Sequence, residues 1–157
     1  MIISQKHKVA FTIDYDKITK FLHTKCGIDV PYYLETQYDS LPYNFTALWD
    51  TGATSSVISS NVVNALNLTP TGRTKMYHAG GESIVNVYSI SIFLPNNILV
   101  PIIKVTDAKL KNTDILIGMD IITAGDFVIT SLQSKTKFSF QIPSTHNTDY
   151  NKELLTN

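Results

Sequence analysis

Apolar and polar residues alternate with a period of two along most of this chain, and that period predicts strands. Near the N-terminus Val9, Phe11 and Ile13 alternate with Ala10, Thr12 and Asp14. Behind Asp16, a residue able to cap, Ile18, Phe21, Leu22 and Lys25 recur at helical spacing and predict a short helix. Phe45, Ala47 and Trp49 share one face of a strand that runs straight into Asp50-Thr51-Gly52, a sharp turn signal. A second helical pattern, Val57, Ile58, Val62, Val63, Leu66 and Leu68, has Ser59 or Ser60 as its cap and Pro70 as its stop.

The second half reads as hairpins. Met76 to Asn86 carries Gly80-Gly81 between strand-like flanks, which predicts a hairpin with a mobile tip. The β-rich runs from Val85 to Leu94 and from Ile98 to Val105 are separated by Pro95-Asn96-Asn97, the signal of a second hairpin. After a polar loop, Ile115-Leu116-Ile117-Gly118 has the pattern of a buried strand, and Met119 to Ala124 can make a turn or two of helix ended by Gly125. Phe127-Val128-Ile129 and the alternating Phe138, Phe140 and Ile142 give two last strands before a polar tail from Ser144 onward.

Composition narrows the function classes. A chain of 157 residues, 43% of them hydrophobic, buries one core and is read as one domain. Lysine plus arginine balances aspartate plus glutamate at 13 each, so no net field steers the chain onto nucleic acid or an anionic membrane. The one cysteine, Cys26, excludes an intrachain disulfide framework and fits a reducing compartment, with the thiol expected as a small buried hydrophobe. No stretch approaches the roughly 18 apolar residues of a membrane span. The expectation is a soluble cytoplasmic protein with no cofactor and no metal cluster.

The residues around Asp50 carry the chemistry. Leu48-Trp49-Asp50-Thr51-Gly52-Ala53 matches the catalytic signature of aspartic proteases, two apolar residues followed by Asp-Thr-Gly-Ala. Leu116-Ile117-Gly118 matches their second signature, and the glycine-rich stretch from Tyr77 to Val85 matches the flap. With these features in order, the chain resembles the retropepsin family, especially its single-domain bacterial members, from about Tyr43 to Pro143. Asp-Thr-Gly alone is good turn chemistry anywhere. Its neighbours give it meaning.

The resemblance implies a mainly β, closed-barrel-like retropepsin fold with one or two short helices. It places an N-terminal extension of open role at 1–35, the protease domain at 36–143 and a polar tail at 144–157. It implies an endopeptidase in which Asp50, Thr51 and Gly52 are catalytic, with Ala53, Tyr77, His78, Ala79, Gly80, Gly81, Ile117 and Gly118 on the substrate. The mechanism needs two carboxylates, one ionised to take a proton from water and one protonated to polarise the scissile carbonyl. Aspartic proteases are a standard example of such a shared-proton pair. One Asp-Thr-Gly supplies half a site, so a two-fold homodimer is expected to supply the rest. By resemblance, Thr51 locks the two loops across the axis. Ala53 stands where many acid-working relatives have serine, which predicts activity towards near-neutral pH.

Departures from the family are equally specific. Met119 replaces the arginine usual after the glycine in retroviral members, and Thr54 replaces an acidic residue often found there. Asp120 reads as a helix-start carboxylate stabilised by the helix dipole. Two other readings stand beside the protease: a catalytically silent relative that binds peptides or scaffolds, and an unrelated small β-barrel binding module.

Overall fold

The structure, a computed structural model, describes residues 8–31, 43–78 and 81–155; the side chains of Tyr43, Tyr77, His78 and residues 153–155 lie outside that description. In chain order come β1 (Val9–Asp14), β2 (Leu22–Asp29), β3 (Tyr43–Trp49), β4 (Val57–Ser59), α1 (Ser60–Ala65), β5 (Gly72–His78), β6 (Gly81–Leu94) and β7 (Ile98–Ala108). They are followed by β8 (Ile115–Ile117), α2 (Met119–Ile122), β9 (Asp126–Thr130), β10 (Lys137–Ile142) and α3 (Tyr150–Leu155). The mainly β class is that expected, and α3 is a helix inside the stretch read only as a polar tail.

Seven strands form one sheet in the order β2-β3-β8-β4-β7-β6-β5. β2 also pairs with β6 over Gly27–Asp29, so the sheet returns on itself and leaves β5 outside the ring, paired on one side. The strands on either side of residue 35 are bonded directly, β2 to β3 from Leu22↔Trp49 to Ile28↔Tyr43, so the N-terminal segment is woven into the barrel. The remaining strands form a second, antiparallel sheet in the order β1-β10-β9.

The helix expected over Ile18–Lys25 is instead a bend leading into β2. The buried residues of that stretch are Leu22, Thr24, Cys26, Gly27 and Ile28, whereas Ile18 and Phe21 are 52% and 61% exposed. Pairing of Leu22–Lys25 with β3 satisfies the backbone in a way a lone two-turn helix cannot, so tertiary context overrides local spacing. The second helix is shorter than its pattern: Val57 and Ile58 enter β4, and α1 starts after Ser59, whose Oγ accepts the Val62 N–H at 3.4 Å. The Pro95–Asn97 turn forms as expected, with Asn96 and Asn97 in the left-handed conformation that asparagine tolerates. Asn96 Nδ2 also donates to the Ala10 carbonyl at 2.7 Å, which ties this turn to β1.

One continuous core fills the interior, and isoleucines 28, 58, 90, 92, 98, 115 and 117 are fully buried in it. Between ring and second sheet lies an aromatic cluster centred on Trp49, whose ring stands 4.9 Å from Phe140, 5.1 Å from Phe138 and 5.8 Å from Phe11 and Phe127. Its indole N–H donates to Thr24 Oγ1 at 3.0 Å, so the one polar atom of the ring is satisfied in the core.

Candidate active site

β3 and β8 are parallel neighbours in register Ala47↔Ile115, Leu48↔Leu116, Trp49↔Ile117. Parallel strands end on the same side, so Asp50 and Gly118 leave the sheet next to each other although 68 positions separate them. The Asp50 N–H donates to the Ile117 carbonyl at 2.9 Å, and the Met119 N–H to the Ala53 carbonyl at 2.8 Å. No side chain fits at Gly118: a Cβ there would stand 2.7 Å from the Ser55 carbonyl carbon and 2.9 Å from the Ala53 and Ser55 oxygens. The second signature is therefore a packing requirement of the loop that carries the first.

The Asp50 carboxylate is half-buried. Its Oδ1 accepts the Gly52 N–H at 2.8 Å, while Oδ2 has no hydrogen-bond partner among the described residues. Thr51 and Gly52 are exposed, and Thr51 Oγ1 is likewise unbonded among the described residues. Asp50 and Thr51 stand on the wall of an open cavity of about 410 Å³, whose apolar lining includes Phe21, Leu22, Leu48, Trp49, Phe127 and Ile129. Phe21 and Ile129 are 61% and 49% exposed, an apolar rim beside the carboxylate.

The other expected site residues fall into three groups. Ala53 and Gly118 are in the loop contact just described. Ile117 is fully buried, so it meets Asp50 through its carbonyl while its side chain belongs to the core. On the hairpin, Tyr77 pairs with Glu82 and His78 with Gly81, which takes a positive φ of 118°. Ala79 and Gly80 lie outside the described residues.

The structure also brings in residues that sequence reasoning passed over or assigned otherwise. Ser56 is fully buried at the end of the Asp50 loop. Its N–H and hydroxyl donate to the two oxygens of Asp120 at 2.9 and 2.7 Å, and its Oγ accepts the Gly118 N–H at 3.0 Å. Asp120 is thus engaged by a loop rather than standing free at a helix start. These partners are 62 and 64 positions apart, so no local motif announces them.

Two further titratable groups bear on the chemistry. Burial, reinforced by the Asp114 carboxylate, pushes the Cys26 thiol up to about 12, which keeps it protonated and removes it as a nucleophile. At the start of β9, the Asp126 carboxylate accepts the Ser144 hydroxyl, the N–H groups of Thr145 and His146 and the Gln141 amide, and meets His146 Nδ1 at 3.0 Å. These bonds, the Ser144 one foremost, hold it well below the ordinary carboxylate range. Among the described residues, no group of three metal-ligating side chains comes together and no helix is long and apolar enough to cross a membrane.

A ring of strands with an Asp-Thr-Gly loop seated against a distal Ile-Gly is the arrangement of a retropepsin-like aspartic protease. A family model described as "gag-polyprotein putative aspartyl protease" matches residues 42–124, more than half of the chain. The chain belongs to that retropepsin-like family. Its fold is similar to that of a retropepsin-like aspartic protease from Rickettsia conorii, with a TM-score of 0.52 over 88% of this chain and 98% of that one, at 9% identity. No curated protein matches the sequence.

Proposed function

We propose that the protein is an aspartic endopeptidase that works as a homodimer, with one Asp50 from each subunit. The observation that carries this reading is the Asp50 carboxylate itself, on the wall of an open cavity, with one oxygen held by the Gly52 N–H and the other without a partner among the described residues. In the reaction, one Asp50 takes a proton from water as the water oxygen bonds to the peptide carbonyl carbon. The other, protonated, gives its proton to the carbonyl oxygen. The tetrahedral intermediate then expels the amine, which leaves with a proton from the pair, and a carboxylic acid and an amine result. Two carboxylates at hydrogen-bonding distance titrate as a unit, because the first charge opposes the second.

The exposed Thr51 hydroxyl and the apolar rim of Phe21 and Ile129 support a second copy seated beside the loop, since exposed apolar area next to a half-site favours a partner. The hairpin of β5 and β6 is the corresponding cover for an extended peptide, with Tyr77, His78 and Gly81 near the end of its paired strands. A single buried thiol accords with a reducing, cytoplasmic setting.

Digestion of a mixed peptide library by wild type beside Asp50→Asn tests the activity: cleavage is expected from wild type alone, and equal products from both would remove Asp50 from the reaction. Subunit mixing tests the dimer. After free exchange of an equal mixture, about a quarter of the dimers keep both aspartates, so activity should fall below half. Activity in simple proportion to the wild-type fraction would mean that each chain works alone.

A further inference from the structure

We propose that Asp120 is a positioning residue that acts through Ser56 to set the place of the Asp50 carboxylate. The inference rests on the reading of Asp50 as catalytic. The loop from Asp50 to Ser56 touches the Ile117–Asp120 segment at three points: Asp50 N–H on the Ile117 carbonyl, Ala53 carbonyl under the Met119 N–H, and Ser56 on Asp120 and Gly118. The first two are backbone contacts that any sequence can make. The third depends on side chains.

Its polarity is fixed. The Gly118 N–H takes an acceptor position on Ser56 Oγ, and the hydroxyl has one proton, which goes to Asp120 Oδ1 at 2.7 Å. The Ser56 N–H goes to Oδ2 at 2.9 Å, so both oxygens of Asp120 must accept. An asparagine there has to turn an NH2 group towards Ser56, either against its N–H or in place of the acceptor its hydroxyl needs. Ser56 is fully buried, so water does not stand in for the lost partner. The helix dipole is a poor alternative account of Asp120, because α2 has four residues and both carboxylate oxygens are already bonded to Ser56.

Two-fold symmetry doubles the consequence. A shift of the loop in one subunit is repeated in the other, so a displacement of about 0.5 Å per chain changes the separation of the two carboxylates by about 1 Å. A misplacement of that size costs on the order of 10²-fold in rate.

The test is Asp120→Asn, with Ser56→Ala as a second variant that leaves the backbone N–H bond in place, and Ser56→Thr, which keeps the hydroxyl, as the conservative control. Fraction folded and dimeric is measured for each by circular dichroism and sedimentation. Expected for folded Asp120→Asn and Ser56→Ala is a fall in kcat of about 10²-fold with KM within about threefold. The two macroscopic ionisations of the dyad should draw closer together in the pH profile, because carboxylates further apart repel less. Ser56→Thr should recover most of the rate. Unchanged kcat and profile in the folded variants, or a loss matched by the loss of folded dimer, overturns the proposal.

A readout without turnover separates this from the peptidase reading. The titration of the Asp50 side-chain carbon, followed by carbon-13 NMR, should move between wild type and Asp120→Asn. If wild type cleaves nothing yet that titration moves, the peptidase reading fails and the positioning role stands. If it does not move, the positioning role fails.

Discussion

Two regions of the molecule, the loop that carries Asp50 and the hairpin of β5 and β6, are built in opposite ways. The loop from Asp50 to Ser56 is bonded to the Ile117–Asp120 segment along its length, ends on a fully buried serine and leaves no room for a Cβ at Gly118. The hairpin of β5 and β6 is paired along one side of β5 only, with Arg73, Thr74 and Lys75 exposed and Ile84 72% exposed. Its ion pair, Lys75 Nζ to Glu82 Oε1 at 3.0 Å, has both side chains more than half in solvent. Order is concentrated in the loop that carries Asp50, and little core holds the hairpin of β5 and β6.

The sharpest way to break this comparison is to remove the support under the fixed loop. Trp49→Ala takes the central ring from a cluster of four phenylalanines and orphans Thr24, so a loss of about 3–5 kcal/mol is expected in denaturant unfolding followed by circular dichroism. A loss below about 1 kcal/mol would mean that the cluster is not what holds the loop.

One substitution made in both regions sharpens the contrast. Gly118→Ala forces a Cβ onto the backbone of Ser55 and is expected to cost about 1–3 kcal/mol. Gly72→Ala, at the base of the hairpin, meets nothing within 4 Å and is expected to be neutral or to stabilise by up to about 1 kcal/mol. Equal effects on the melting temperature would erase the distinction.

Asp126 provides a smaller effect with a definite sign. Its folded ionisation lies below the unfolded one, so the stability it contributes is fully present above about pH 4 and is lost as pH falls through the folded value. Melting curves of wild type and Asp126→Asn should differ by a constant amount from neutrality down to about pH 4 and converge below it. A gap that widens on acidification would contradict this. The smallest effect belongs to the hairpin: Lys75→Gln should change stability by no more than about 1 kcal/mol, and by nothing measurable in high salt, because both partners are solvated. A larger change would show that the hairpin is held more firmly than its exposure implies.

What was legible in the sequence follows from where the determining contacts lie. Asp50-Thr51-Gly52 and Ile117-Gly118 are readable because a strand end and a sharp turn leave local marks. The alternation of Phe138, Phe140 and Ile142 is readable because one face of β10 is buried against the Trp49 cluster. The stretch from Ile18 to Lys25 misleads because its helical spacing is real, while the pairing that decides its fate lies in β3. Asp120 does lie in the first turn of α2, as its neighbours in sequence suggest, but its partner, Ser56, is more than sixty positions away and leaves no local mark. The role of residues before Tyr32 is hidden similarly, since Phe11 and Leu22 acquire their meaning only beside Trp49.

The surroundings of Trp49 also order events in time. Its ring rests on Phe11 from the first strand and on Phe138 and Phe140 from the last, so the support under Asp50 is closed by residues made long after Asp50 itself. At a synthesis rate of about 5–20 residues per second, the ribosome leaves a lag on the order of seconds between the two. A nascent chain therefore carries its aspartate through synthesis without the floor that holds it, and ripening waits for β10.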